Sequence, residues 1–276
     1  MNLGILSDEI DRDFPRAVQH GLAAGLRRFE LRSVKSGRAP QCDVADLYEV
    51  ERVVRDEGIT LTGFSPGLFK NVIDAAGFER EMREVYPRAA EWTKRLNLSG
   101  MIVFGFRKPG ATEENGDTVS SDNPPPKIAA WLAEAGARAA SDGLTLMVEP
   151  EPVCWADSGP ATLALLEQAE SPALRINYDP GNTAWLERRD PLDELAAMIP
   201  YIANVHVKDV IAAPRGSGVP KFAPVGEGMI DYPAHFRALK QSGYNGPISL
   251  ELHLPFTPET LRRCKEGVER AFADAG

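Results

Sequence analysis

Four apolar runs in the second half of the chain end on residues that can bind a metal or move a proton. TLMVE ends on Glu149, LRINYD on Asp179, ANVHV carries His206 and ISLEL carries Glu251. A carboxylate at one strand end means little. Three carboxylates and an imidazole at four consecutive strand ends meet at one side of the mouth if the strands close into a single sheet. Unpaired, the three carboxylates would repel one another in a partly dehydrated pocket. One divalent cation resolves that conflict. Three carboxylates with one imidazole suit Mn2+ first, then Mg2+ or Co2+, better than a soft-ligand zinc site does. Zn2+ stays allowed, because zinc sites of histidine and carboxylate exist. Each residue also has a blander reading. His206 alone fits a satisfied interior histidine, and Asp179, before Pro180–Gly181–Asn182, can brace a turn. Glu149 and Glu251 can form structural ion pairs with Lys208 or Arg32. The four in register favour the metal.

The elements that must position these residues alternate from end to end. Strands are expected near 3–7, 28–32, 59–64, 100–106, 145–149, 174–178, 203–208 and 247–252. Helices are expected near 14–25, 43–57, 77–97, 127–142, 160–170, 190–199, 231–242 and 258–273. Gly143 in SDGLTLMVEP and the Gly243 and Asn245–Gly246–Pro247 turns mark where helices give way to strands. Eight strand–helix units imply a parallel sheet, since each parallel return needs a crossover. The reading is an α/β fold, a (β/α)8 TIM barrel forming one domain over 1–276. An open doubly wound sheet would show a Gly-rich first turn, and ILSDEIDRDF has none. Two connections are long, 107–126 and 211–230. Both follow a strand, on the face where barrel enzymes work, and read equally as decoration or as lids.

Composition narrows the partners. The formal net charge is −9 with no Lys/Arg-rich run, which argues against a nucleic-acid partner. Three scattered cysteines, Cys42, Cys154 and Cys264, make no disulfide framework or zinc knuckle and suit a reducing compartment. The start MNLGILSDEID is unlike a secretory leader. No apolar run reaches the roughly 18 residues of a membrane span. A cytoplasmic protein acting on a small molecule is expected.

The stretch 145–253 resembles the xylose isomerase-like barrels of the sugar phosphate isomerase/epimerase superfamily. The segments that carry the likeness are MVEPEPVCWADSG, INYDPGN, NVHVKDV and PVGEGMIDYPAHFRALKQSGYNGPISLELH. ILSDEI, RFELR and the eight-unit rhythm extend it less sharply over the first half. The resemblance implies that Glu149, Asp179, His206 and Glu251 bind one divalent metal. It also implies that Glu149 and Glu251 form the acid–base pair of a sugar, keto-sugar or polyol isomerase/epimerase, working through a metal-stabilised enediolate. Two alternatives share the metal: a dehydratase of a cyclic keto acid, and a non-catalytic barrel binding a metal or ligand. Pairing of barrels into a homo-oligomer through strand-end loops is a further implication. Many relatives carry a histidine three residues after the strand-six aspartate. Asn182 stands there, a poor metal ligand able to bond a substrate hydroxyl, which argues against a second ion. With only four histidines in the chain, it argues equally against the DNA-repair endonuclease branch.

The remaining substrate-side candidates follow from position. Lys208 shares a strand face with His206, with pairing to Glu227 or Asp209 as its plainer role. Glu30 and Arg32 share a face at the end of the second strand, and His253 that of Glu251. Trp155 and Trp185 lie just past ligand-bearing strand ends, where they can wall a sugar or simply cap the barrel. Arg215 and Lys221 can reach an anionic substrate group if their loop folds inward, although no Gly-rich phosphate cradle accompanies them.

Overall fold

The expected apolar runs become eight parallel strands: β1 (Leu3–Leu6), β2 (Arg28–Leu31), β3 (Thr60–Phe64), β4 (Gly100–Phe104), β5 (Thr145–Glu149), β6 (Leu174–Tyr178), β7 (Ile202–Val207) and β8 (Ile248–Leu250). They are seen in a computed structural model that describes residues 1–112, 124–213 and 219–276. The strand order is β3-β2-β1-β8-β7-β6-β5-β4. Because β1 pairs with both β2 and β8, the sheet curls round into a nearly closed TIM barrel. β3 and β4 meet at a seam without ladder pairing. There the segment after β3 stands in, with Leu68 O accepting from Phe104 N at 3.0 Å and Val72 O from Arg107 N at 3.0 Å. Strands such as GMIVF of β4 are buried throughout, as strands covered on both faces must be.

The helices start where the sequence supplies an acceptor side chain followed at once by proline. Asp13, Ser158, Asp179, Asp231 and Thr257 each cap a helix whose first or second residue is proline. The cap satisfies a backbone N–H that has no partner inside the helix, and proline has none to lose. Two expectations needed revision. The helix expected over 77–97 is Ala75–Arg80, a π-turn Glu81–Val85 and Tyr86–Arg95. Pro87, lacking an N–H and crowding the preceding turn, accounts for the break. Pro180 and Gly181 do not make a plain turn: Pro180–Glu187 is a helix capped by Asp179, ahead of Leu192–Met198.

Excursions beyond the barrel frame shape the mouth. Ser33–Val34 pairs with Gly37–Arg38 just after β2. Asp209–Ile211 pairs with Lys221–Ala223 after β7, so part of the second long connection is a β-hairpin. Residues 113–123 and 214–218 of the two long connections, Arg215 among them, lie outside the described residues.

Candidate metal centre

The strand ends place Glu149, Asp179, His206 and Glu251 together, all buried, with one ligand atom of each within 4.8 Å of every other. Close approach of glycine backbones makes room for this. A Cβ on Gly63 would stand 2.5 Å from Glu30 Oε2, and one on Gly181 would stand 2.3 Å from Lys208 Cγ. Any larger residue at either position would displace a charged side chain of the site.

The two faces of the His206 ring are distinguished by their partners. Nε2 lies 2.9 Å from Glu30 Oε1. Nδ1 lies 3.6 Å from Glu149 Oε2 and 3.5 Å from Glu251 Oε2, and it forms no hydrogen bond. A carboxylate on one ring nitrogen fixes the ring and makes the other nitrogen a better ligand. Glu30 is fully buried and does not line the cavity, so it orients His206 and does not meet substrate as expected. Its other oxygen accepts from Asn204 Nδ2 at 3.2 Å. Asn204 also donates to Asn177 Oδ1 at 2.9 Å, and Asn177 donates to Glu149 Oε2 at 2.9 Å. A buried polar chain therefore ties Glu149 to His206 through Asn177, Asn204 and Glu30. Glu30→Gln keeps the shape but swaps an acceptor for a donor. It is expected to weaken divalent-cation binding about 10- to 100-fold, read by titrating Mn2+ calorimetrically; unchanged affinity would mean His206 does not need its partner.

Asp179 Oδ1 caps its helix, accepting from Asn182 N at 3.0 Å. Its Oδ2 is buried without a hydrogen bond; Lys208 Nζ stands 2.7 Å away but out of line. Lys208 is bonded at 2.5 Å to Glu251 Oε2, so its partners are Asp179 and Glu251 and not Glu227 or Asp209. Glu227 pairs with Arg263 instead. Arg32 Nη1 donates to Glu251 Oε1 at 2.6 Å while Asp8 and Glu9 hold the rest of the guanidinium. The plainer reading of Glu251, an ion pair with Lys208 or Arg32, is thus also present. It leaves the cluster incompletely satisfied: His206 Nδ1 is buried without a hydrogen bond, and Asp179 Oδ2, in the same cluster, has the Lys208 charge beside it but no aligned hydrogen bond. Burying such atoms without hydrogen bonds is costly. Their donor chemistry fits a divalent cation.

The electrostatics split the carboxylates. Burial, partly opposed by His206 and reinforced by Glu251 and Asp179, pushes Glu149 up to about 7. Burial acts on Glu251 too, but Lys208 and His253 outweigh it and hold this carboxyl well below its usual range. Burial also raises Asp179, against the pull of Lys208. Burial works against the charge on His206, yet Glu30 and Glu149 raise its pKa well above the ordinary value. Lys208 behaves likewise, its burial outweighed by Asp179, Glu251 and Glu149.

Above the cluster opens a cavity of about 380 Å³. Of the expected substrate-side residues, Asn182, Lys208 and Arg32 line it, and so do Trp185 and His253. Asn182 Nδ2 donates to Glu149 Oε1 at 3.1 Å and to Pro150 O at 2.8 Å, clamping the ligand as well as facing the cavity. Trp155 does not line it; it is packed into the hydrophobic core, so the wall is Trp185. Trp185 stacks on Phe222 at 4.6 Å, and Phe222 on His253 at 4.5 Å. Lys221 is exposed and is not among the lining residues. Arg38, Ser65, Lys70, Phe104, Glu151 and Phe222 line the cavity without having stood out in the sequence. Only Glu151 carried a signal, sharing the alternation of Glu149 in VEPEP.

A (β/α)8 barrel with a buried carboxylate–histidine cluster at its strand ends defines the class. The family profile "Xylose isomerase-like TIM barrel" matches residues 18–268, and the chain belongs to that family. L-ribulose-5-phosphate 3-epimerase UlaE of Escherichia coli is 36% identical over 149 residues, 52% of this chain and 50% of that one. The chain thus aligns with about half the length of that curated relative. The solved IOLI protein with a binding zinc atom superposes with a TM-score of 0.79 at 16% identity, covering 100% of this chain and 99% of that one. D-allulose 3-epimerase from Methylomonas sp. gives 0.72 at 17% identity, covering 98% of each. At such identities the two structures speak for the fold alone. Among the described residues, no helix is long and apolar enough to cross a membrane.

Proposed function

We propose that the chain is a divalent-metal-dependent epimerase or isomerase of a keto sugar, exchanging a proton at the carbon beside the carbonyl. The observation that carries this reading is the pairing of Glu149 with Glu251. Both belong to one ligand cluster, His206 Nδ1 stands between them, and their pKa values are driven in opposite directions. A pair of acids poised apart can supply one base and one proton donor near neutrality. The likeness to an L-ribulose-5-phosphate 3-epimerase supports the reaction class.

A divalent cation held by Glu149, Asp179, His206 and Glu251 would supply Lewis-acid stabilisation of the negative charge that develops on the carbonyl oxygen. The chain's own groups do the rest. Glu251, kept ionised by Lys208 and His253, accepts the proton from the carbon. Glu149 returns one from the other side, and the roles reverse in the opposite direction. Asn182 and Asn177 hold Glu149 in one orientation through its two oxygens. The stacked Trp185 and Phe222 offer the sugar an apolar wall and shield the exchanged proton from water.

The test is incubation of Mn2+-loaded protein with a panel of ketoses in deuterated water. Solvent deuterium at the α-carbon is expected. No exchange on any ketose with metal bound would retire the reading, and a new ultraviolet chromophore would indicate dehydration instead.

Protonation also sets a pH window. Glu149 folds with a pKa raised from 4.5 to about 7, so between those values the folded chain holds a proton that the unfolded chain has lost. His206, raised above 6.5, adds stability that is full below that value and fades as pH climbs through its folded one. Glu149 makes the metal-free protein less stable as pH rises from 4.5 toward 7, and His206 continues the decline above 6.5. The cation competes with a proton for His206 Nδ1, so its affinity rises with pH until that proton is lost, about tenfold per pH unit. Melting curves with chelator and with Mn2+ should diverge as pH increases; parallel curves would contradict the assignment.

A further inference from the structure

The cavity has a second electrostatic pole. The metal-ligand set ends β5 to β8, whereas Arg38 follows β2, Ser65 follows β3 and Phe104 ends β4, on the other half of the mouth. Arg38 donates from Nε to Ser65 O at 3.1 Å and from Nη2 to Ser65 Oγ at 2.8 Å. These bonds fix the guanidinium and leave its Nη1 without a protein acceptor among the described residues. Arg32, nearby, is surrounded by Asp8, Glu9 and Glu251. Arg38 has no carboxylate within ion-pair distance among the described residues; its burial and the repulsion from Arg32 work against its charge and outweigh the attraction of Asp8, Glu149 and Glu251 from farther away.

A largely dehydrated cation with no carboxylate in direct contact is costly to a fold, and such a group in a cleft marks a place where an anionic partner can arrive with a ligand. Lys70 strengthens the pole. Its Nζ lies 3.1 Å from Glu151 Oε2 and 5.2 Å from the Phe104 ring, over which Arg38 also sits at 5.9 Å. Arg38 and Lys70 thus bring two cationic groups to this end of the cavity. A hydroxyl donor, Ser65, stands beside them, with an apolar floor beneath. The planar guanidinium matches the paired oxygens of an oxyanion.

We propose that the substrate carries an oxyanion group, carboxylate or phosphate, and that Arg38 with Ser65 binds it while the carbonyl end lies over Glu149 and Glu251. The proposal deepens the keto-sugar reading and rests on it for the identity of the rest of the ligand. It makes the substrate a sugar acid or a sugar phosphate.

The test is calorimetric titration of the metal-loaded protein with inorganic phosphate, D-glycerate and glycerol. Phosphate or glycerate should bind and glycerol should not; whichever anion binds more tightly names the source. Arg38→Met should weaken the anion about ten- to hundred-fold, the range for a hydrogen bond to a charged group. Undiminished anion binding in Arg38→Met would place the anion on the metal and overturn the proposal. So would equal binding of glycerol and glycerate by the unmodified protein, a comparison that stands even if the variant does not fold. Deuterium exchange is read on the same preparation. Exchange without Arg38-dependent anion binding removes this inference and leaves the epimerase. Arg38-dependent anion binding without exchange on any ketose does the reverse.

Discussion

Glu251→Gln is expected to lower solvent-deuterium exchange at the α-carbon by about a hundred- to ten-thousand-fold, the usual contribution of a positioned acid–base group. Glutamine keeps the length and one oxygen, so Mn2+ should still raise the melting temperature, though by less. The variant also loses the charge that Lys208 and Arg32 hold in place, at 2.5 and 2.6 Å. Some loss of stability accompanies it, since two cations are left with fewer counter-charges. The diagnostic is the separation of the two readouts. Exchange collapses while metal-dependent stabilisation survives; a fully active Glu251→Gln protein would sink the proposed mechanism.

Removing the metal is expected to act on both readouts together. A site held at a hundred times its Kd adds about 2.7 kcal/mol to folding. For a chain of this size each kcal/mol corresponds to about 2–4 °C in Tm. Chelation should therefore lower the melting temperature by roughly 5–10 °C and abolish exchange, with both restored by Mn2+. The physical reason is that His206 Nδ1 and Asp179 Oδ2 are buried without hydrogen bonds beside the Glu149 and Glu251 carboxyl groups. Elemental analysis of the purified protein that finds no metal, together with a melting temperature indifferent to chelator, would remove the metal from the account.

The barrel and the four residues that cluster at its mouth were legible in the sequence for one reason. A parallel strand buried on both faces is nearly all apolar, so an acid or histidine at its end stands out against Val, Leu and Ile. Glu149, Asp179, His206 and Glu251 all break such a background. Asn177 and Asn204 break it too, inside NYD and NVH. Their part as the link from Glu149 to Glu30 was not legible, because it depends on partners from other strands. Glu30 showed its position but not its task, since reaching His206 Nε2 depends on the absence of a side chain at Gly63. The helix Pro180–Glu187 had its signal in Asp179–Pro180, a cap followed by proline, which reads equally as a turn. Arg38, Ser65, Lys70 and Phe222 were beyond reach. They come from hairpins and connections, where no periodicity says which way a side chain points, and only the folded mouth brings them to one cavity.

The seam between β3 and β4 bears on what the mouth can accommodate. Seven strand-to-strand ladders hold the metal-ligand half and the rest of the wall in fixed register, but β3 and β4 share none. Arg38, Ser65, Lys70 and Phe104 are gathered on that side, and Phe104 and Arg107 are tethered there to the Leu68 and Val72 carbonyls through a connecting segment. One side of the vessel is riveted and the other laced. The chemistry end of a ligand meets a rigid frame, while its tail meets a wall that can give by a fraction of an ångström without unzipping a sheet. On the proposed reading, such a barrel is expected to be strict about the carbon it works on and tolerant about the length of what hangs from it.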